Sequence, residues 1–183
     1  MKTHTCCGFC LLVHWSLCLS LWSEEVSRAE AKLVDQGPVL DGKLDDPCWK
    51  GLSVIKDFRQ RRPNEGFAET EKTEVRLCRD ADFLFVGVRC FDSQPDQIRA
   101  GVMQRDAPVR GDDYFFILID PFSRGRDGYY FRTNANGAKG EALINSDMSR
   151  PKMDWDTIWE VRSQQDDLGW RAEFAIPFRS IPI

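Results

Sequence analysis

The chain has 183 residues, and its 25 basic and 29 acidic side chains give a net charge of −4 at neutral pH. Proteins that bind nucleic acid usually gather basic residues on one face, whereas here both signs are interspersed. The basic run at residues 59–62 is more typical of a solvated loop, so no nucleic-acid partner is expected.

The first 31 residues have the features of a secretory signal peptide. Lys2 precedes an apolar run over residues 9–22, and Ala29-Glu30-Ala31 fits the small-x-small rule for cleavage. The run is shorter than the roughly 20 residues that span a bilayer. We therefore expect a secreted protein, periplasmic or extracellular; the alternative is an uncleaved N-terminal anchor.

Cleavage would leave residues 32–183, enough for one domain with a full-sized core. This region has 23 basic and 26 acidic residues and contains no histidine, since His4 and His14 both lie in the leader. Histidine is the commonest general base, and no Gly-x-Ser-x-Gly motif occurs. Catalysis by this chain is therefore not expected.

Three cysteines, Cys48, Cys78 and Cys90, follow the leader. Cys78 and Cys90 lie on consecutive predicted strands joined by a tight turn, and they are several residues out of step. Their separation would exceed the limit of about 7 Å between the Cα atoms of a disulfide. We expect buried thiols rather than a bond between these two.

Apolar residues alternate with polar ones in segment after segment, which predicts strands. The predicted strands cover residues 73–79, 83–91, 113–120, 129–134, 141–144, 158–163 and 170–176. The segment 113–120 is nearly all apolar, which predicts a strand covered on both faces. Hairpin signals stand at residues 126–128 and 136–137, and short helical turns are predicted at 45–49 and 94–99.

These short strands predict an all-β protein, an antiparallel, jelly-roll-like β-sandwich spanning residues 32–183. The sequence ends directly after the phrase Ile176-Pro177-Phe178. We therefore expect that the last strand or strands of the sandwich are missing, or that the chain is the front of a longer protein.

Four phrases occur in order along the chain and share domain-sized spacing. They are Asp41-Gly42-x-Leu44-Asp45 with Trp49, Thr73-Glu74-Val75-Arg76 before Leu84-x-Val86-Gly87-Val88, Asp112-Asp113 leading to Ile119-Asp120, and Gly169-Trp170 with Glu173 and Ile176-Pro177-Phe178. Together they resemble the family 9 carbohydrate-binding modules over nearly all of residues 38–183. Two further phrases, Asp57-Phe58-Arg59-Gln60 and Pro63-Asn64-Glu65-Gly66, are more similar to a branch that precedes an outer-membrane β-barrel region.

The resemblance implies a ligand, partners and a metal. Family 9 modules typically accompany xylanases and related glycosidases, hold a terminal sugar between two tryptophans, and carry structural calcium. It thus implies a polysaccharide or oligosaccharide ligand and a glycosidase partner, and the branch implies an outer-membrane partner instead.

A sugar site needs an exposed aromatic ring beside polar side chains. Strand phase places Trp159 and Trp170 in the core, and Trp49 is expected to pack under the sandwich. Trp155 lies in a polar loop and is the predicted stacking platform; the alternative is a tryptophan that covers the rim of the sandwich. The predicted polar contacts and further ring are Tyr129, Asn134, Asn136, Asp154 and Asp156. Turn formation explains both asparagines as well, and no second stacking tryptophan can be identified.

Calcium binds several oxygen ligands from carboxylates and carbonyl groups. Asp112 and Asp113 are the predicted ligands, and Asp147, Asp154 and Asp156 are the alternative, although no Asp-x-Asp-x-Asp-Gly loop is present. A glycosidase would need two carboxylates at a set separation, and the sequence alone does not pair any.

Two functions follow from these observations. The first is a secreted, non-catalytic carbohydrate-binding module associated with polysaccharide degradation, either free-standing or as a piece of a glycosidase. The second is an interaction domain of an outer-membrane assembly that has no affinity for sugar.

Overall fold

The computed structural model describes residues 28–145 and 151–182. Its strands are β1 (Lys32–Leu33), β2 (Thr73–Arg79), β3 (Phe83–Phe91), β4 (Tyr114–Ile119), β5 (Gly128–Asn134), β6 (Lys139–Ile144), β7 (Glu160–Asp166) and β8 (Gly169–Pro177). Single 3-10 turns cover Pro47–Trp49, Pro95–Gln97 and Phe178–Ser180. All seven predicted strands and both predicted helical turns are confirmed, whereas β1 and the last turn were not predicted.

The strands form two sheets. One has five strands in the order β1-β2-β3-β8-β7, and the other has three in the order β4-β5-β6. Strand β1 runs parallel to β2, and the remaining neighbours are antiparallel. The predicted all-β sandwich is therefore confirmed.

The main core lies between the two sheets. Phe115 of β4 meets Phe174 of β8 edge-on, with ring centroids 6.2 Å apart. Trp159 stacks on Phe174 at 5.8 Å with an angle of 9° between the rings. Trp159 and Trp170 are 1% and 4% exposed, which confirms the core positions predicted from strand phase.

The N-terminal segment, residues 34–52, covers part of the outer face of the five-stranded sheet. Trp49 packs there with Cys78, Phe85 and Ala175 and is 3% exposed, as expected. Gly87 makes this packing possible, because a Cβ at that position would stand 2.7 Å from Leu44 and 3.2 Å from Trp49.

The outer face of the three-stranded sheet corrects one prediction. The apolar run at 113–120 predicted a strand covered on both faces, but Tyr114, Phe116 and Leu118 are 46%, 47% and 38% exposed. The loop after β3 contacts this face at Arg132 of β5, which donates a hydrogen bond to the carbonyl oxygen of Ala107 at 2.7 Å. Strand β4 is thus left open to solvent on one side.

Cys48, Cys78 and Cys90 are free thiols. In the antiparallel register of β2 and β3, Cys78 lies opposite Phe85 and Cys90 lies opposite Thr73. The prediction that Cys78 and Cys90 are not bonded to each other is confirmed.

The predicted signal peptide lies outside the described residues except for residues 28–31. Within the part of the chain that the structure describes, no helix is long and apolar enough to cross a membrane.

Candidate functional site

Trp155 lies in the connection between β6 and β7, against one end of the sandwich. Its ring is partly buried and packs on Tyr129 at 5.4 Å and on Phe131 at 6.2 Å between centroids. The hydroxyl group of Tyr129 donates to the carbonyl oxygen of Pro182 at 3.2 Å. The Trp155 ring is therefore held from behind by two aromatic side chains and is exposed only in part.

Two carboxylates flank this ring, as the sequence predicts. Asp154 is exposed, and the side chain of Asp156 is 79% exposed. Arg105, in the loop after β3, forms an ion pair with Asp156 at 3.2 Å. Sequence reasoning missed Arg105, because about 50 residues separate it from Trp155 and no local pattern connects the two loops.

Arg105 also binds Glu141, whose side chain is fully buried. The Oε1 atom of Glu141 accepts from Arg105 and, at 3.3 Å, from the amide of Thr157. Its Oε2 atom is buried without a hydrogen-bond partner among the described residues. Close by, burial raises the pKa of Asp106, whose carboxylate accepts from the Glu141 amide at 3.2 Å. The Trp155 ring thus borders a polar cluster with spare acceptor capacity.

The structure separates Asn134 and Asn136 from Trp155. Tyr129 and Asn134 lie five residues apart on β5, which is roughly 16 Å at about 3.3 Å per residue. The Asn134 amide is buried and donates to Val102 O and Asp112 Oδ2, both at 2.8 Å. Asn136 donates to Ala100 O and accepts from Gln165. Both side chains are thus engaged away from Trp155, and Asn134 Oδ1 also accepts from the amides of Asn136 and Ala138 in the turn.

Asp112 and Asp113, the predicted calcium ligands, tie down the loop after β3. The Asp112 carboxylate accepts hydrogen bonds from the backbone amides of Gly101 and Val102 at 3.1 and 3.0 Å. The Asp113 carboxylate accepts one from the backbone amide of Arg99 at 2.7 Å. The hydrogen bond from Asn134 and those from the two amides hold the pKa of Asp112 below its usual range.

Calcium takes carboxylate and carbonyl oxygens as ligands, and the N–H groups bound to Asp112 and Asp113 use part of the acceptor capacity of these two carboxylates. The described residues contain no group of three or more His, Cys, Asp or Glu side chains that could hold a metal ion. Asp147, one of the alternative ligands, lies outside the described residues. Calcium binding remains a prediction.

A second aromatic surface was not predicted as a site. Tyr114 and Phe116 stack at 6.3 Å along the open face of β4, and Phe116 meets Tyr130 of β5 at 5.2 Å. The sequence contains a pattern that indicates this surface, because the aromatic rings at 114 and 116 alternate with Phe115 and Ile117, which pack against the core. We name this surface, formed by Tyr114, Phe116, Leu118 and Tyr130, the β4 face.

Solved structures share this fold. A family 9 carbohydrate-binding module from Caldicellulosiruptor kristjanssonii in complex with glucose has a TM-score of 0.55 and 20% identity, covering 84% of this chain and 72% of that one. A family 9 module from the same organism in complex with cellotriose has a TM-score of 0.54 and 19% identity, covering 84% of this chain and 70% of that one. A candidate carbohydrate-binding protein from Bacteroides uniformis has a TM-score of 0.62 and 14% identity, covering 82% of this chain and 72% of that one.

The chain therefore has the fold of a family 9 carbohydrate-binding module, as the four phrases in its sequence implied. No protein-family model matches the sequence, and no curated protein matches it. At 14–20% identity the likeness to the solved structures defines the fold alone.

Proposed function

We propose that the protein is a non-catalytic carbohydrate-binding module and that its ligand stacks on Trp155. The observation that carries the proposal is the shared fold, which spans more than four fifths of the chain and belongs to modules solved with glucose and cellotriose. A secreted protein that holds a polysaccharide near degrading enzymes is the role that the leader and the four phrases favour.

The Trp155 site supports the proposal by its chemistry. The C–H face of a sugar ring packs on an aromatic ring, while planar polar groups bind its hydroxyl groups. Trp155 offers the ring, and its exposed sequence neighbours Asp154 and Asp156, the second paired with Arg105, supply acceptors and a donor in the same loop region. Tyr129 and Phe131 fix the ring from behind, which lowers the entropy lost on binding.

A second function is favoured by the β4 face. Tyr114 and Phe116 are about half exposed, and with Tyr130 they form an aromatic surface on β4 that no second layer covers among the described residues. Such a surface suits contact with another protein, as an interaction domain without affinity for sugar would require.

Matched aromatic variants separate these functions. Affinity-gel electrophoresis on immobilised glycans should show retardation that Trp155→Ala reduces at least about tenfold, as expected for loss of a stacking ring. Phe122→Ala, which removes a 48% exposed ring in the β4–β5 turn, should bind like the parent protein. If retardation persists in Trp155→Ala but is lost in Phe116→Ala, the glycan binds at the β4 face and not at Trp155. A folded protein that no glycan retards would favour the interaction domain.

A further inference from the structure

The N-terminal segment covers only part of the outer face of the five-stranded sheet, and an open pocket of about 580 Å³ lies beside it. This is within the usual range for ligand sites. Its walls come from the N-terminal segment, β2, β3, the end of β7, the β7–β8 turn and β8, and they include Trp49, Lys50, Arg89, Asp166 and Arg171. The Trp155 site lies elsewhere, and none of these residues belongs to it.

The walls are strongly basic, although the whole chain carries a net charge of −4. Five of the lining side chains are Lys or Arg, and Asp166 is the acidic one. Two further carboxylates stand beside the pocket and pair with its rim, Asp41 with Lys43 at 2.7 Å and Glu74 with Arg76 at 3.2 Å. Five cationic side chains and the three carboxylates of Asp166, Asp41 and Glu74 leave the pocket with an excess of two positive charges.

Two arginines at the floor of the pocket lie side by side. Arg89 of β3 is directly opposite Arg171 of β8, an arrangement that is destabilising for like charges unless an anion stands between them. Asp166 binds Arg89 through two hydrogen bonds of 2.7 and 2.8 Å but is 3.6 Å from Arg171. One carboxylate therefore satisfies Arg89 and neutralises Arg171 only in part.

Donors remain for a second anion. The Nε atom of Arg171 is buried and has no hydrogen-bond partner among the described residues, and its Nη1 atom donates to the carbonyl oxygen of Lys43. Lys50 is exposed at the rim and forms no salt bridge within the described part of the chain. The Arg171 side chain is 25% exposed and its Nη2 atom is 3.6 Å from Asp166, so the guanidinium keeps N–H groups that can bind a planar or tetrahedral oxyanion in the pocket.

The other walls are apolar. Leu44, the edge of Trp49, Phe91 and Leu168 line the pocket beside the charged floor, and the Phe91 ring already carries Arg89 at 5.2 Å. An inorganic ion would leave these walls without contacts, whereas the C–H groups of a sugar ring would cover them. Charge and shape together fit a sugar that carries an acidic group.

We propose that this pocket binds the carboxylate or sulfate group of an acidic sugar residue, with Arg171 and Lys50 as the groups that hold the anion. That the anion is carried by a glycan rests on the proposed function, while the anion site itself rests on the pocket alone. The ligand would be a uronate-containing or sulfated glycan, in addition to any neutral sugar bound at Trp155.

The test is a titration of the purified protein followed by the indole N–H signals in NMR spectra. The probes are tetragalacturonate, its methyl ester, a sulfated galactan tetrasaccharide, cellotriose and sodium sulfate. The Nε1–H of Trp49, which reports this pocket, should shift saturably with an acidic oligosaccharide and not with the methyl ester. Arg171→Gln should weaken that binding at least tenfold and Lys50→Gln about threefold, while Arg61→Gln, an exposed charge outside the pocket, should not.

Each outcome decides between the alternatives. Binding of cellotriose alone, with shifts at Trp155, would overturn the anion pocket and leave the proposed function intact. Sodium sulfate binding as tightly as the acidic glycans, and as dependent on Arg171, would overturn the glycan as carrier. Acidic-glycan binding that neither pocket variant weakens would place the anion elsewhere. No binding of any probe would overturn both proposals.

Discussion

Glu173 of β8 accepts a hydrogen bond of 2.8 Å from the indole Nε1–H of Trp49, and both side chains are buried. The other carboxylate oxygen accepts from the amides of Asp41 and Gly42 at 3.0 and 2.8 Å. One carboxylate thus joins the two phrases that bracket the domain, which lie more than 120 residues apart. Three N–H donors compensate for the burial of its charge.

Glu173→Gln should destabilise the fold by about 3 kcal/mol. The amide group of glutamine would turn a donor toward N–H groups that need an acceptor, and it would leave at least one of them buried and unpaired. Urea unfolding followed by tryptophan fluorescence measures the change. Glu160→Gln, at an exposed side chain of β7, is the matched control and should change stability by less than about 0.5 kcal/mol. Equal effects in the two variants would contradict the role given to Glu173.

Gly169 begins β8 with a φ angle of +129°, and a Cβ there would stand 2.2 Å from the carbonyl oxygen of Cys90. Gly169→Ala should therefore cost about 3 kcal/mol or more, because the contact is with backbone on the adjacent strand. Gly66 also has a positive φ, +82°, but nothing lies within 4 Å of its Cβ position. Gly66→Ala should cost only about 1 to 2 kcal/mol for conformation. Thermal unfolding measures the loss of stability in each variant. Similar losses in Gly169→Ala and Gly66→Ala would contradict the clash at Gly169.

The ion pair of Arg89 and Asp166 predicts a pH dependence. The hydrogen bonds from Arg89 lower the pKa of Asp166 to about 2, below the usual value of about 3.9 in unfolded chains. The carboxylate therefore stabilises the fold above about pH 4, and this contribution is lost as the pH falls toward 2.

Asp166→Asn should cost about 1 kcal/mol at pH 7, after discounting for a side chain that is 32% exposed. The difference from the parent protein should shrink between pH 5 and pH 2 in urea unfolding. Asp167→Asn, at the exposed neighbouring position, serves as the control. An Asp166→Asn effect that is the same at pH 7 and pH 2 would show that charge is not its cause.

The thiols should differ in reactivity. Burial raises the pKa of Cys78 and that of Cys90 to about 12, and only the thiolate is nucleophilic. With iodoacetamide at pH 8, both residues in the folded protein should react at least about tenfold more slowly than in urea, and Cys48, whose pKa burial raises less strongly, should be modified first. Mass spectrometry of the digested protein gives the order. Rapid labelling of Cys78 without urea would show that the cluster around Trp49 is open.

Strand boundaries could be predicted because they depend on local alternation. Residues 73–79 and 83–91 match β2 and β3 at both ends, since Val75 and Leu77, or Val86 and Val88, face the core from every second position. Trp170 and Trp159 were placed correctly for the same reason. Strand phase is contained in a short window of sequence.

The segments that cover the outer face of a strand lie far away in sequence, so local alternation does not predict whether that face is buried. Glu173 alternates with the core residues Ala172 and Phe174, so it lies on the outer face of the sheet, where only the N-terminal segment, distant in sequence, buries it. Tyr114 and Phe116 show the reverse, since an apolar run looked fully covered and one face is open. The pairing of Arg89 with Arg171 likewise joins strands that lie about 80 residues apart.

Residue type alone did not show which of the predicted site residues lie together. Trp155 with Asp154 and Asp156 are neighbours in sequence, so the structure keeps them together. Asn134 was added because amides bind sugar hydroxyl groups, yet it lies at the far end of β5 and holds Asp112. Only the register of the sheet could show that separation.

The most direct test of the account is a broad glycan array probed with the purified, folded protein, with neutral and acidic glycans side by side. The account predicts saturable binding to at least one class of glycan, and that binding should fall in Trp155→Ala or in Arg171→Gln according to whether the glycan is neutral or acidic. A protein whose native fold is verified by circular dichroism and near-ultraviolet tryptophan signals, but which binds no glycan on the array, would contradict the carbohydrate-binding function.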